Sequence, residues 1–312
     1  MTLTTKKLGL ALGSGSARGW AHIGILRGLR EAGIKPDIIC GTSIGALVGA
    51  AYASGHLQPL EQWVRNLSFW DVVRLLDIKM QGGLIEGTAL MESFHDKIKD
   101  TNIEQLEPSF AAVATDLVTG QEIWLQQGSL LLAVRAAIAL PGLFSPIRID
   151  GHWLVDGGLV NPVPVSVCRA MGADLVIAVD LNSGIIGRHL KPSARLEQTT
   201  SEPATERRDL FNQLLQQLNS SLRQRAINAW RSERDSESSP PGMFEVLASS
   251  INIMQDRITR SRMADEPPDC LLSPKLGHLG LLEFDRANEA IAEGEACIKR
   301  QLPQIEKILT AK

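Results

Sequence analysis

The sequence predicts an α/β fold: a three-layer α/β/α sandwich around a mostly parallel sheet. Two observations carry this. Over the first stretch of about fifty residues, short apolar runs alternate with helical patterns, strand, helix, strand, helix, which is the signature of βαβ units. Further on, Leu175-Val176-Ile177-Ala178-Val179 is an unbroken apolar run, as expected of a strand covered by helices on both faces.

The elements follow in order. Lys7–Leu12 reads as a short buried strand running into the loop Gly13-Ser14-Gly15-Ser16-Ala17-Arg18-Gly19, and a helix follows from Trp20 to Ala32, stopped by Gly33. Ile38-Ile39-Cys40 is a second strand, and the small residues of Ile44–Ser54 suit a helix lying close on a sheet. Leu60–Asn66 and Thr88–Lys99 read as helices. Ser109–Asp116 and Gln121–Gln126, on either side of Thr119-Gly120, read as a hairpin or as two edge strands. Ser129–Leu140 is apolar nearly all round and reads as a buried helix ended by Pro141. Ile147–Asp150 and Trp153–Asp156 form a second hairpin pattern through Gly151, and Val163–Met171 reads as a helix.

After Asp180 the composition turns polar. Residues 7–182 read as the core, 183–243 as a polar insertion or linker around one amphipathic helix (about Leu210–Trp230), and 244–312 as helices and a strand completing the same domain. In that last part Phe244–Met254 is helical, Cys270-Leu271-Leu272 a strand and Asn288–Lys307 a helix.

Composition excludes several classes. Of 312 residues 44% are hydrophobic and 21% charged, with net charge −3, so no general basic field favours nucleic acid or anionic lipid. No apolar run approaches the roughly eighteen residues of a membrane-spanning helix. The short Leu8–Leu12 run after Lys6-Lys7 is a strand before a glycine loop rather than a signal peptide. Cys40, Cys168, Cys270 and Cys297 are scattered, without Cys-x-x-Cys or metal-ligand spacing. Reduced thiols, a cytoplasmic location and no metal are the expectation.

The chemistry concentrates at Gly41-Thr42-Ser43-Ile44-Gly45. Gly-x-Ser-x-Gly between strand and helix places a serine Oγ on a sharp turn above the helix N-terminus, where negative charge is favoured. Gly13–Gly19 leaves the first strand at the same sheet edge, so its amides are candidate oxyanion donors, with Arg18 adding charge or anchoring the loop. A dinucleotide loop fits less well, because Gly13-x-Gly15 is followed by Gly19, one position late, and no ribose-binding acid ends the second strand. The serine needs a base. His22, His56, His95, His152 and His189 fall in structural or solvated contexts, while His278 stays open. Asp156-Gly157-Gly158 ends a strand with room for the acid to meet another loop, although the tripeptide taken alone reads first as a hairpin turn.

These blocks together resemble the patatin-like phospholipase family, in particular its bacterial members related to the neuropathy-target-esterase branch. Leu12 to Gly24 is similar to the family's oxyanion-loop block, Gly41 to Ala46 to its nucleophile elbow, and Asp156 to Pro164 to its aspartate block. Ala139-Leu140-Pro141-Gly142-Leu143-Phe144 also fits. The resemblance implies a patatin-like fold and a serine acyl hydrolase acting on lipid esters without a cofactor. Ser43 would be nucleophile and Asp156 base in a dyad, and the amides of Gly13, Ser14, Gly15 and Ser16 would hold the oxyanion. Arg18, Gly41, Gly45, Gly157 and Gly158 would support them. The sequence departs from the family where Ser14 and Ser16 interrupt its glycine run, which predicts a shifted or narrower oxyanion site. Core packing is expected for most of Leu67–Leu76, with an acyl channel or a bilayer contact as the alternative. Leu210–Trp230 and Phe244–Arg262 are candidates for homo-oligomer or peripheral membrane contacts, with simply solvated charged faces as the equal alternative. The rival to an enzyme is a regulatory scaffold on the same fold.

Overall fold

The computed structural model describes residues 6–75, 88–183 and 243–310. One compact unit comprises 1–186 and 247–312; the other, 187–246, lies almost wholly outside the described residues, as do Leu210–Trp230 and His189.

The sheet has eight strands: β1 (Leu8–Leu12), β2 (Ile38–Thr42), β3 (Ser109–Asp116), β4 (Glu122–Leu125), β5 (Ile147–Ile149), β6 (His152–Asp156), β7 (Leu175–Val179) and β8 (Cys270–Leu272). Its order is β5-β6-β3-β2-β1-β7-β8, with β4 paired to β3 off that path. The pairs β3–β2, β2–β1, β1–β7 and β7–β8 are parallel, whereas β3–β4, β3–β6 and β5–β6 are antiparallel. β3 and β4 do form a hairpin, but β3 is interior rather than an edge strand.

Side chains alternate between two cores, as the period of two requires. Leu10, Leu12, Ile39, Phe110 and Val179 point into the larger one, against α1 (Ala21–Glu31), α2 (Ile44–Ala53), α3 (Leu57–Arg65), α6 (Leu130–Ala137) and α9 (Ala287–Thr310). Ala11, Cys40, Val113 and Ala178 point the other way, against α7 (Val165–Ala170) and, through Met263, α8 (Met243–Asp265). Two short helices, α4 (Phe69–Leu75) and α5 (Thr88–His95), complete the set among the described residues. Each fully buried Leu or Ile of these cores contributes about 1.5–3 kcal/mol. The C-terminal α9 locks α1 in place at a glycine notch: a Cβ on Gly24 would strike the Ile291 carbonyl, and one on Gly294 the Ala21 carbonyl.

The sheet register decides where the site forms. Val113 of β3 pairs with Thr42 on one edge and Trp124 on the other; Ala114, next along, pairs with Asp156 and Ile123. β4 occupies one edge of β3, so β2 and β6 share the opposite edge and meet end to end there. The residue after Thr42 therefore faces the last residue of β6.

Candidate active site

Those two residues are Ser43 and Asp156. Ser43 adopts φ 56° and ψ −127°, a sparsely populated conformation for a residue with a Cβ, and it is the N-cap of α2. Gly41 and Gly45 make the turn sterically feasible. A Cβ on Gly41 would lie 2.5 Å from the Ala46 nitrogen, and one on Gly45 would collide with the Leu12 carbonyl.

Asp156 is held from several sides. Its amide donates to Ala139 O (3.0 Å), just past α6, and its carbonyl accepts from Thr115 Oγ1 (2.9 Å). Its carboxylate accepts from Ser43 Oγ through Oδ2 (2.6 Å) and from the Gly158 amide through Oδ1 (2.7 Å). Gly157 opens a 3-10 turn pressed so closely on β3 that a Cβ would collide with Val113 O. The tripeptide is thus a strand-to-helix corner and not a hairpin turn. Thr42 Oγ1 donates to Asn161 O (2.8 Å), tying the elbow to this corner. Asp156 is 0% exposed, and burial pushes its carboxyl up to about 6, a rise that the Ser43 and Gly158 hydrogen bonds limit.

The oxyanion loop corrects part of the sequence expectation. The Gly13 amide continues the β1–β7 ladder to Val179 O (3.1 Å), and the Ser14 amide donates to Pro162 O (2.8 Å). Neither can face an oxyanion. The Gly15 and Ser16 amides have no acceptor among the described residues, and Ser16 lines the same cavity as Ser43. Ser16 takes φ 49° despite its Cβ. The interrupted glycine run has not closed the loop; it has confined the open donors to its second half.

Two buried side chains hold the loop. Arg18, 0% exposed, donates from Nε to Gly15 O (3.2 Å). Burial lowers it to about 10, with Asp180 opposing the fall, so it is cationic at neutral pH. His22 donates from Nε2 to Gly13 O (2.8 Å), and burial lowers it to about 4, which keeps it neutral. It is structural, as its helical position predicts. Among the described residues no histidine is hydrogen-bonded to Ser43: His56 bonds Ser54, His152 bonds Asp116, and His278 pairs with Glu289 at the surface. His95 ends α5, and no hydrogen bond joins it to the dyad.

The cavity in front of Ser43 is apolar apart from Ser16 and Ser43 themselves. Trp20, Leu47, Trp63, Ile138, Phe144 and Phe284 form much of its wall. Leu67 and Val72 line it too and are buried in core clusters, whereas Phe69 and Trp70 depart from core packing at 58% and 54% exposed. Leu76 lies outside the described residues. Among the described residues no group of three His, Cys, Asp or Glu could hold a metal ion, and no helix is long and apolar enough to cross a membrane. The four cysteines are free and buried.

With this geometry in place, the family model for patatin-like phospholipases matches residues 10–169, spanning the loop, the elbow and Asp156. The chain belongs to the patatin-like phospholipase family. An uncharacterized NTE family protein of Mycobacterium bovis is 33% identical to this patatin-like chain over 97% of its length and 93% of the relative's. Mouse patatin-like phospholipase domain-containing protein 6 is 37% identical over 58% of this chain but only 14% of its own. Drosophila neuropathy target esterase sws is 36% identical over 58% and 13%. VipD from Legionella pneumophila superposes over 98% of this chain and 80% of its own, at TM-score 0.36 and 14% identity, too loosely to bear on the site.

Proposed function

We propose that this patatin-like protein is a serine acyl hydrolase that cleaves lipid esters through a Ser43–Asp156 dyad. The observation that carries the reading is the 2.6 Å hydrogen bond from Ser43 Oγ to a fully buried carboxylate, made at the wall of an apolar cavity. As Ser43 Oγ attacks the ester carbonyl, Asp156 takes its proton. The amides of Gly15 and Ser16 receive the developing oxyanion. Collapse breaks the bond to the alcohol, which leaves with the proton held by Asp156, and an acyl-Ser43 ester remains. Water then attacks that ester, Asp156 again serving as base, and the free acid departs. An apolar wall favours an acyl chain over a polar acyl group.

The base must be ionised, and its carboxyl titrates near 6, so hydrolysis rises with pH through that value and levels above it. Exposed Phe69 and Trp70 sit on the helix whose Val72 lines the cavity, and supply an apolar contact for a lipid surface as the substrate enters. A second reading, a scaffold with little turnover, draws on the commitment of the Gly13 amide to the sheet and of the Ser14 amide to Pro162 O.

Hydrolysis of a panel of short-chain esters, lysophospholipids and phospholipids by purified protein separates the two. The dyad reading expects turnover that Ser43→Ala and Asp156→Asn each lower about 10³-fold or more. Near wild-type hydrolysis by either variant, or none by the wild type on any ester, rejects it.

A further inference from the structure

Helix α8 buries a polar stripe beside its apolar contacts Ile251 and Met263. Asn252, Gln255, Asp256 and Thr259, spaced i, i+3, i+4 and i+7 on one face, are buried, while Ile253 and Met254 stand in solvent. Burying amides is costly unless each finds a partner, so this face needs an explanation.

Its partners lie in the catalytic turns. Ser14 Oγ donates to Gln255 Oε1 (3.0 Å), and Asn182 Nδ2 donates to the same oxygen (3.1 Å) and to Ser14 Oγ (3.2 Å). One turn earlier, Asn252 Oδ1 accepts from Arg18 Nη2 (3.4 Å), whose Nε holds Gly15 O. The other end of the Gln255 amide borders the Asp156 corner. A Cβ placed on Gly158 would collide with Gln255 Nε2 and lie 3.0 Å from Asp156 Oδ1. Further along, Arg262 pairs with Glu122 (2.8 Å), and Glu122 also accepts from Nδ2 of Asn161 (2.7 Å), which lies five residues beyond Asp156 in the same loop.

We infer that Gln255 is a positioning residue that holds the oxyanion loop in register with the Asp156 corner, gripping the loop by the Ser14 hydroxyl. The inference rests on the dyad reading above. It also accounts for a serine where the family has glycine: the Ser14 side chain is buried and turned to α8, and its Cβ serves as an anchor. Losing the anchor frees the Gly15 and Ser16 amides to drift from the oxyanion, and misplacement of about 1 Å costs up to about 10²-fold in rate. Asp156 borders Gln255 at the Gly158 corner, and Asp180, which accepts from the amide of the Gln255 partner Asn182, lies within electrostatic reach of Arg18, Asp256 and Arg260.

The test uses full-length protein and a soluble short-chain ester, followed from about pH 5 to about pH 9 across the acid limb. Gln255→Met removes the acceptor at nearly constant length, and Ser14→Ala removes the other end of the same bond. Each is expected to lower kcat about tenfold with KM nearly unchanged, and the double variant to lose little more than either alone. Gln255→Glu retains an acceptor for Ser14 and Asn182 but sets a carboxylate beside Asp156. It is expected to keep more of the high-pH rate and to move the acid limb to higher pH. Wild-type kcat in Gln255→Met or Ser14→Ala, multiplying effects in the double variant, or an unmoved acid limb in Gln255→Glu overturns the inference. Ser14→Ala leaves α8 untouched and decides the matter if Gln255→Met does not fold. A wild type inactive on the ester rejects the dyad itself; an active wild type matched by its variants rejects only the role of Gln255.

Discussion

Between Gly41 and Gly45 the chain is held by its own backbone. Added Cβ atoms there meet the Ala46 nitrogen and the Leu12 carbonyl, and the strained Ser43 is fixed by close approach of main chain to main chain. Between Gly13 and Gly19 backbone bonds to Val179, Pro162 and Leu281 are supplemented by a network of side chains, most of them from distant sequence. Gln255 and Asn182 grip Ser14, Asn252 steadies Arg18, and His22 takes the Gly13 carbonyl. In the proposed mechanism the two regions supply the nucleophile and the oxyanion donors of one site, and they differ in tolerance. A backbone contact fails as a whole when one atom is added, whereas a side-chain network weakens bond by bond.

The sharpest break in this contrast is Gly45→Ala. With no flexible side chain to yield, the new methyl must push the elbow off β1, and a loss of about 10²-fold or more in kcat/KM is expected, with a lower Tm. That exceeds the roughly tenfold effect of Ser14→Ala in the loop, and comparing the two on one ester tests the contrast. A Gly45→Ala variant as active as Ser14→Ala would show the elbow to be no more rigid than the loop.

A second break separates function from stability. Burial raises Asp156 from 3.8 to about 6, so the folded chain binds this proton more tightly than the unfolded one. The resulting stability is full below the unfolded value and is lost as pH rises through about 6, leaving an ionised Asp156 that costs the fold on the order of 3 kcal/mol at most. Asp156→Asn keeps the acceptor for Gly158 and removes the charge. Thermal unfolding is expected to show a raised Tm at about pH 8 and little change at about pH 4, together with lost activity. No rise at the higher pH would mean that Asp156 is less desolvated than its burial indicates.

The smallest effect belongs to a residue in neither region. His278 pairs with Glu289 at the surface. His278→Ala is expected to leave kcat/KM within about twofold of wild type, in the range of a surface substitution. A large loss would put a histidine back into the mechanism.

The same contrast explains what the sequence made readable. Ser43 and Asp156 lie in blocks whose glycines record backbone crowding, so both could be named before the sheet was known. Strands β1, β2 and β7 followed from short unbroken apolar runs, since each divides its side chains between two cores and is buried on both faces. The free amides were not readable. Whether Gly13 and Ser14 can face an oxyanion depends on Val179 and Pro162, which reach them only through the sheet register. Nor was the buried polar face of α8, because periodicity marks an amphipathic helix without saying which side is covered. Exposed Phe69 and Trp70 illustrate the same limit, since an apolar run does not state whether a core or a lipid surface receives it.

The dyad itself is tested most directly by covalent labelling with a fluorophosphonate, which reports the nucleophile without requiring the right lipid. Labelled peptides are mapped for the wild type and Asp156→Asn as a function of pH. The account expects modification of the wild type at Ser43 alone, at a rate that climbs through about pH 6 and then levels, and a rate lowered about 10³-fold or more in Asp156→Asn. Label on another residue, or labelling of Ser43 in Asp156→Asn at the wild-type rate, would contradict it.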